Sequence, residues 1–230
     1  MQPMPPVAIA QPDLASAGAK WQVNGAFDGK ENAQFSAYLD NAVGHSMSVM
    51  LGNIPIEKPK QNQLLPVKPD CVEVGPVRVV GGVRPQNFDV GYRPDGIRIA
   101  YDSKSLNDDK SVGKNWQNMV NDLGTEATTV HIRFSTAVVG FIVAIPLPCM
   151  ANTRRTNAII GTLTRLGGRK LVSEPLHRAE AMSLLVWDPA TGRVDPNLPD
   201  PASPLRIERF SDDLYAAYHD RFQGLPPHAI

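Results

Sequence analysis

Apolar and polar positions alternate most cleanly between Ile97 and Lys104. Ile97, Ile99 and Tyr101 share one side of an extended chain, and Arg98, Ala100, Asp102 and Lys104 share the other, because successive strand side chains face opposite ways. Arg93-Pro94-Asp95-Gly96 precedes this run with strong turn chemistry. Proline fits the first central position, aspartate the second, and glycine accepts positive φ. The stretch from Asn87 to Asn107 therefore reads as two strands around a tight turn. Val72 to Val83 reads as a further strand ending at Gly81-Gly82. Ala137 to Pro146 is apolar on both faces and predicts a central, fully buried strand. Met182 to Trp187 predicts another, closed by the turn Asp188 to Gly192.

Between these strands the period changes to that of helices. Phe27 to Val49 carries Phe35, Leu39, Ala42 and Val43 near helical spacing, with Lys30 and Asp40 off the stripe and Glu31 at its edge. Ser111 to Phe134 repeats Trp116, Met119, Val120, Leu123, Ala127, Val130 and Phe134 at intervals of three or four. Thr128 and Thr129 argue for a break near Gly124, but the stripe keeps its phase and a continuous helix is expected. Thr153 to Leu166 is a further amphipathic helix stopped by Gly167-Gly168. Ser211 caps a last one over 211–222. Ile54 to Pro69 and Asp195 to Pro204 are proline-rich loops. The chain is thus expected to be α/β (α+β), a mixed sheet flanked by helices. Residues 1–26, with their scattered prolines, are expected as a loose arm before a single domain over 27–230.

With 230 residues, composition narrows the function. Twenty-three basic and 23 acidic residues cancel, which argues against nonspecific coating of nucleic acid but allows a local basic cleft. Cys71 and Cys149 form no CxxC pattern, so neither zinc nor a disulfide framework is expected and a cytoplasmic location is the default. No apolar run suits a membrane span, and the N-terminus lacks a basic region followed by an apolar one. The five histidines are dispersed without HxH or HExxH, and the Gly-Gly pairs belong to no phosphate loop. Ser103 and Lys104 face opposite sides of a strand, which disfavours a Ser-Lys nucleophile pair.

Asp102 and Lys104 remain: a carboxylate and an ammonium on one strand face, about 7 Å apart. The order helix, three strands, helix, strand, with Asp102-Ser103-Lys104 closing the third strand, resembles the PD-(D/E)XK nuclease superfamily. More narrowly it looks like a type II restriction endonuclease with an αβββαβ core over about residues 72–190. Pro94-Asp95, Asp102-Ser103-Lys104 and the helix and strand from Gly113 to Pro146 carry the resemblance. It implies Mg²⁺, with Mn²⁺ as a substitute, held by two carboxylates against a scissile phosphate in double-stranded DNA. Asp102 would be one ligand, the Ser103 carbonyl a further one, and Lys104 would position the attacking water or stabilise charge. For the first acid two candidates stay open. Asp95 is the literal match, yet seven residues of straight strand put it about 23 Å from Asp102. If Pro94-Asp95-Gly96 is only the turn, the partner strand brings Asp89 back beside Ala100 to Asp102. Glu31 is the candidate for the glutamate that relatives often add from the N-terminal helix. Arg84, Gln86, Asn87 and Asn107 have side chains suited to base edges, and Arg154 and Arg155 open a helix where phosphates bind. A palindromic target would match a homodimer. Competing expectations are a catalytically silent nuclease-fold module for DNA binding or assembly, and a repair or phage-processing nuclease.

Overall fold

The structure, a computed structural model, describes residues 1–228, so the last two residues of the expected domain lie outside it. Seven strands form one mixed sheet whose spatial order is the order of the chain: β1 (Ile56–Glu57), β2 (Val72–Val80), β3 (Pro85–Tyr92), β4 (Ile99–Ser105), β5 (Val138–Pro146), β6 (Ala181–Asp188) and β7 (Arg193–Val194). β2, β3 and β4 form an antiparallel meander, whereas β4, β5 and β6 run parallel. Parallel neighbours need crossovers. α3 (Asp109–Arg133) supplies the one between β4 and β5, and α4 (Thr153–Leu166) the one between β5 and β6. Every residue of β5 is buried, as its unbroken apolar run requires.

The sheet is covered on both faces. α2 (Gly29–Met50) and α5 (Ile207–Phe222) lay Phe35, Leu39, Val43 and Leu214 against Tyr92, Ile99 and Tyr101. On the other face Leu123 and Val130 of α3, with Ile159 and Leu163 of α4, pack on Ala100, Val139 and Val143. The expected α/β architecture is therefore the one the chain adopts. α3 is a single uninterrupted helix through Gly124. The Gly81-Gly82 turn has a packing reason: a β-carbon on Gly81 would sit 2.4 Å from the Thr129 carbonyl oxygen of α3. No helix among the described residues is long and apolar enough to cross a membrane.

Two expectations fail at the N-terminal edge. Residues 1–26 are not a loose arm. α1 (Gln11–Asn24) opens with a proline in its first turn and closes at Gly25, whose φ of 65° lets its N–H reach the Trp21 carbonyl at 2.8 Å. Met4, Val7, Leu14 and Ala17 are buried in the core shared with α2, so the segment is bound by packing that its weak periodicity does not reveal. Ser211 is likewise no cap. α5 begins earlier, at Ile207, and the buried Ser211 hydroxyl donates to the Pro5 carbonyl at 2.8 Å while accepting the Val7 N–H at 3.0 Å. It clasps the N-terminal segment.

A second clasp closes the end of the sheet where β5 and β6 begin. Glu180, buried there, accepts from the Val139 N–H at 2.7 Å, Arg169 at 2.6 Å and Arg221 at 2.8 Å, with the His131 ring at 3.2 Å. One carboxylate thus ties α3, α5 and two strands together.

Candidate active site

The far end of the same sheet holds another largely buried ionic cluster, around Asp102 and Lys104. β3 and β4 pair only at Val90–Tyr101, Gly91–Ala100 and Tyr92–Ile99. Continuing that register puts Asp89 opposite Asp102, but there the ladder stops. The Asp89 side chain takes the place of the backbone acceptor: its Oδ2 accepts from the Ser103 N–H at 2.9 Å and from the Ser103 hydroxyl at 3.0 Å. The strands fork at this point, while β4 remains paired to β5 through Ser105. The fork brings carboxylates of both arms together at this end of the sheet.

Two helices add to it. Asp40 of α2 lies beside Asp89 and within hydrogen-bonding reach of the Ser103 hydroxyl. Its Oδ1 is buried without a partner. From the opposite face of the sheet Glu126 of α3 points in, 6% exposed, and accepts from Lys104 at 2.8 Å through Oε1. Lys104 also pairs with Asp102. The constellation is therefore Asp40, Asp89, Asp102, Lys104 and Glu126, with Ser103 threaded between the first two.

Burial and mutual repulsion both discourage negative charge in this group. Burial, above all, and then the neighbouring Asp89 charge push the Asp40 carboxyl up to about 8, against the lowering effect of the Ser103 hydroxyl. Asp102 is raised well above its ordinary value, first by burial and then by the neighbouring Asp89 carboxyl. Burial pulls Lys104 down, but Asp102 and Glu126 outweigh it and hold the lysine charged. Carboxylates that burial and mutual repulsion disfavour as anions are those a divalent ion stabilises most. Among the described residues no three His, Cys, Asp or Glu side chains form a ready-made metal cage. Asp89 and Asp102, with Asp40 beside them, are the carboxylates that meet where the strands part.

The structure separates the two open candidates for the first acid. Asp89 is at the fork. Asp95 is at the other end of β4, in the turn, where Gly96 adopts φ 119°. Its carboxylate, 61% exposed, pairs with Arg98, and the Arg98 bond lowers its pKa. Glu31 is also removed from the site. It forms a capping box with Asp28, accepting the Asp28 N–H at 2.9 Å, nine residues and so about 14 Å up the helix from Asp40. Its carboxylate is consumed in starting α2.

β3 runs opposite to β4, so its first residues lie at the cleft end. Arg84 and Asn87 are exposed there and Gln86 is half-buried. Asn87 also accepts from Arg78 at 3.4 Å. Arg154 is exposed at the start of α4. Arg155 is not free: its guanidinium pairs with Asp109 and donates to the Cys149 carbonyl at 3.1 Å. Asn107 is also engaged, its amide donating to Asn32 at 2.9 Å and its carbonyl accepting from the Trp21 indole.

Sequence reasoning missed Asp40 and Glu126, and for both a signal was present. Asp40 stands four residues before Gly44 and seven before Met47, both buried, so it flanks the apolar stripe more closely than Glu31 does. Glu126 lies three residues after Leu123 and four before Val130, an acid inside an otherwise apolar row. No known family, curated protein or solved structure matches this chain.

Proposed function

We propose that the protein is a Mg²⁺-dependent endonuclease of the PD-(D/E)XK kind, cutting phosphodiester bonds of double-stranded DNA as type II restriction enzymes do. One observation carries the reading: Asp102 and Lys104, two residues apart on β4, meet Asp89 where β3 and β4 fork. Asp89 and Asp102 would hold the metal, with Asp40 beside them and the Ser103 carbonyl as a further oxygen. When bound, Mg²⁺ supplies an acidified water and neutralises developing negative charge. Lys104, kept charged by its neighbours, orients that water or stabilises the phosphorane-like charge; in this protonated form it is a charge donor, not a base. A bound cation would favour the anionic forms of Asp40 and Asp102, whose carboxyls burial and Asp89 raise.

Arg84, Gln86, Asn87 and Arg154 lie at the cleft end of the sheet and are the groups placed to meet DNA. Both cysteines are free and buried, which suits a cytoplasmic enzyme, and a homodimer would match a palindromic site. A second reading, a silent nuclease-fold module, is favoured by Lys104 already being neutralised from two sides. The deciding experiment is incubation of the purified protein with a long, sequence-diverse double-stranded DNA. Discrete fragments with Mg²⁺ or Mn²⁺ and none with EDTA support the nuclease. Intact DNA under every condition supports the silent module.

A further inference from the structure

Lys104 has two carboxylate partners on opposite sides, Asp102 on its own strand and Glu126 on α3. Glu126 is unusual for its place. The helix face around it, Leu123, Ala127 and Val130, is core, and nothing in that packing calls for a carboxylate. Its Oε2 is buried with no partner, a state that costs free energy unless something uses it. Lys104 itself is anchored by a strand in full register with β5, Lys104 opposite Val143, so only its side chain can move. That side chain is 25% exposed and has a route to solvent.

We propose that Glu126 is a positioning residue that keeps the Lys104 ammonium at the cleft when a divalent cation takes Asp102. The proposal rests on the metal-dependent reading above. Asp102 cannot serve a lysine and a divalent ion equally, since adjacent cations repel strongly in a buried site. Metal binding therefore displaces Lys104, and the spare oxygen of Glu126 receives the donors that Asp102 gives up. Without Glu126 the lysine has one partner, and it competes with the ion for that partner.

The test is Mn²⁺ affinity, by calorimetry or electron paramagnetic resonance, in four proteins: wild type, Lys104→Met, Glu126→Gln and the double variant. Lys104→Met should tighten Mn²⁺ binding roughly threefold or more, since the competing cation is gone. Glu126→Gln should weaken it by a similar factor, and in the Lys104→Met background that weakening should largely vanish, the signature of residues acting through one another. An equal effect of Glu126→Gln in both backgrounds would show that Glu126 acts on the ion or the fold directly, and overturns the proposal. If Glu126→Gln does not fold, Lys104→Met alone still decides: unchanged or weaker Mn²⁺ binding refutes the competition. Wild-type protein that binds no Mn²⁺ sinks the metal-dependent reading itself, a different outcome from either.

Discussion

Asp89 stands one residue beyond the last β3–β4 pair, Val90–Tyr101, and its carboxylate accepts from both the backbone N–H and the hydroxyl of Ser103. The same side chain thus ends the pairing of two strands and sets a carboxylate where they part. Asp95, seven residues before Asp102, has neither role; it serves the turn with Arg98.

The two aspartates should therefore respond oppositely. Asp89→Asn should remove metal-dependent cleavage by two orders of magnitude or more, because a metal ligand is worth on the order of several kcal/mol in the transition state. Asp95→Asn should leave cleavage intact and change stability by less than about 1 kcal/mol, the scale of an exposed ion pair. Parallel cleavage assays and melting curves check both.

Metal-free stability should fall as pH rises. In the folded protein Asp40 titrates at about 8 against 3.8 ordinarily, so the folded state holds a proton that the unfolded state releases. Its contribution is complete below about pH 4 and is lost as pH climbs through 8. Asp40→Asn should flatten this slope, and added Mg²⁺ should offset it in the wild type. Denaturant midpoints at pH 5, 7 and 9, with and without Mg²⁺, measure it. A slope unchanged in Asp40→Asn would assign the effect elsewhere.

Glu180 predicts the opposite sign at the acid end. Burial disfavours its charge, but the His131 hydrogen bond, the His131 and Arg221 charges and the Val139 N–H win, lowering it from 4.5 to about 2. Its stabilisation is present above pH 4.5 and lost as pH falls toward 2. Glu180→Gln leaves two buried arginines short of their counter-charge and should cost about 3–5 kcal/mol. Thermal melts between pH 2 and 5 should show the wild type losing an advantage that the variant never had.

The strands and long helices were legible because their periodicity is strong: the alternation around Tyr101, the apolar run of β5 and the stripe of α3 all stand where the pattern places them. Asp102 and Lys104 were legible for the same reason. Which acid faces them was not, since it depends on where a ladder ends, and Asp89 ends it with a side-chain hydrogen bond that no spacing announces. Asp40 and Glu126 reach the cleft from opposite faces of the sheet, so their convergence is tertiary. Glu31 misled because an acid in the first turn of a helix serves the cap equally well.

The N-terminal segment was misread because its contacts are nonlocal. A chain starting at residue 27 loses Met4, Val7 and Leu14 from the core, each worth about 1.5–3 kcal/mol when buried. It also loses the Trp21 indole from the Asn107 carbonyl, three residues past Lys104. Its melting temperature should drop by many degrees; an unchanged value would mean that the segment is an arm after all.

The most direct measurement is made on Lys104→Ala with double-stranded DNA. Gel shifts in Ca²⁺ should show DNA bound as tightly as by the wild type, and incubation in Mg²⁺ should leave that DNA uncut while the wild type cleaves it. Cleavage by Lys104→Ala at the wild-type rate would contradict the nuclease assignment at its centre.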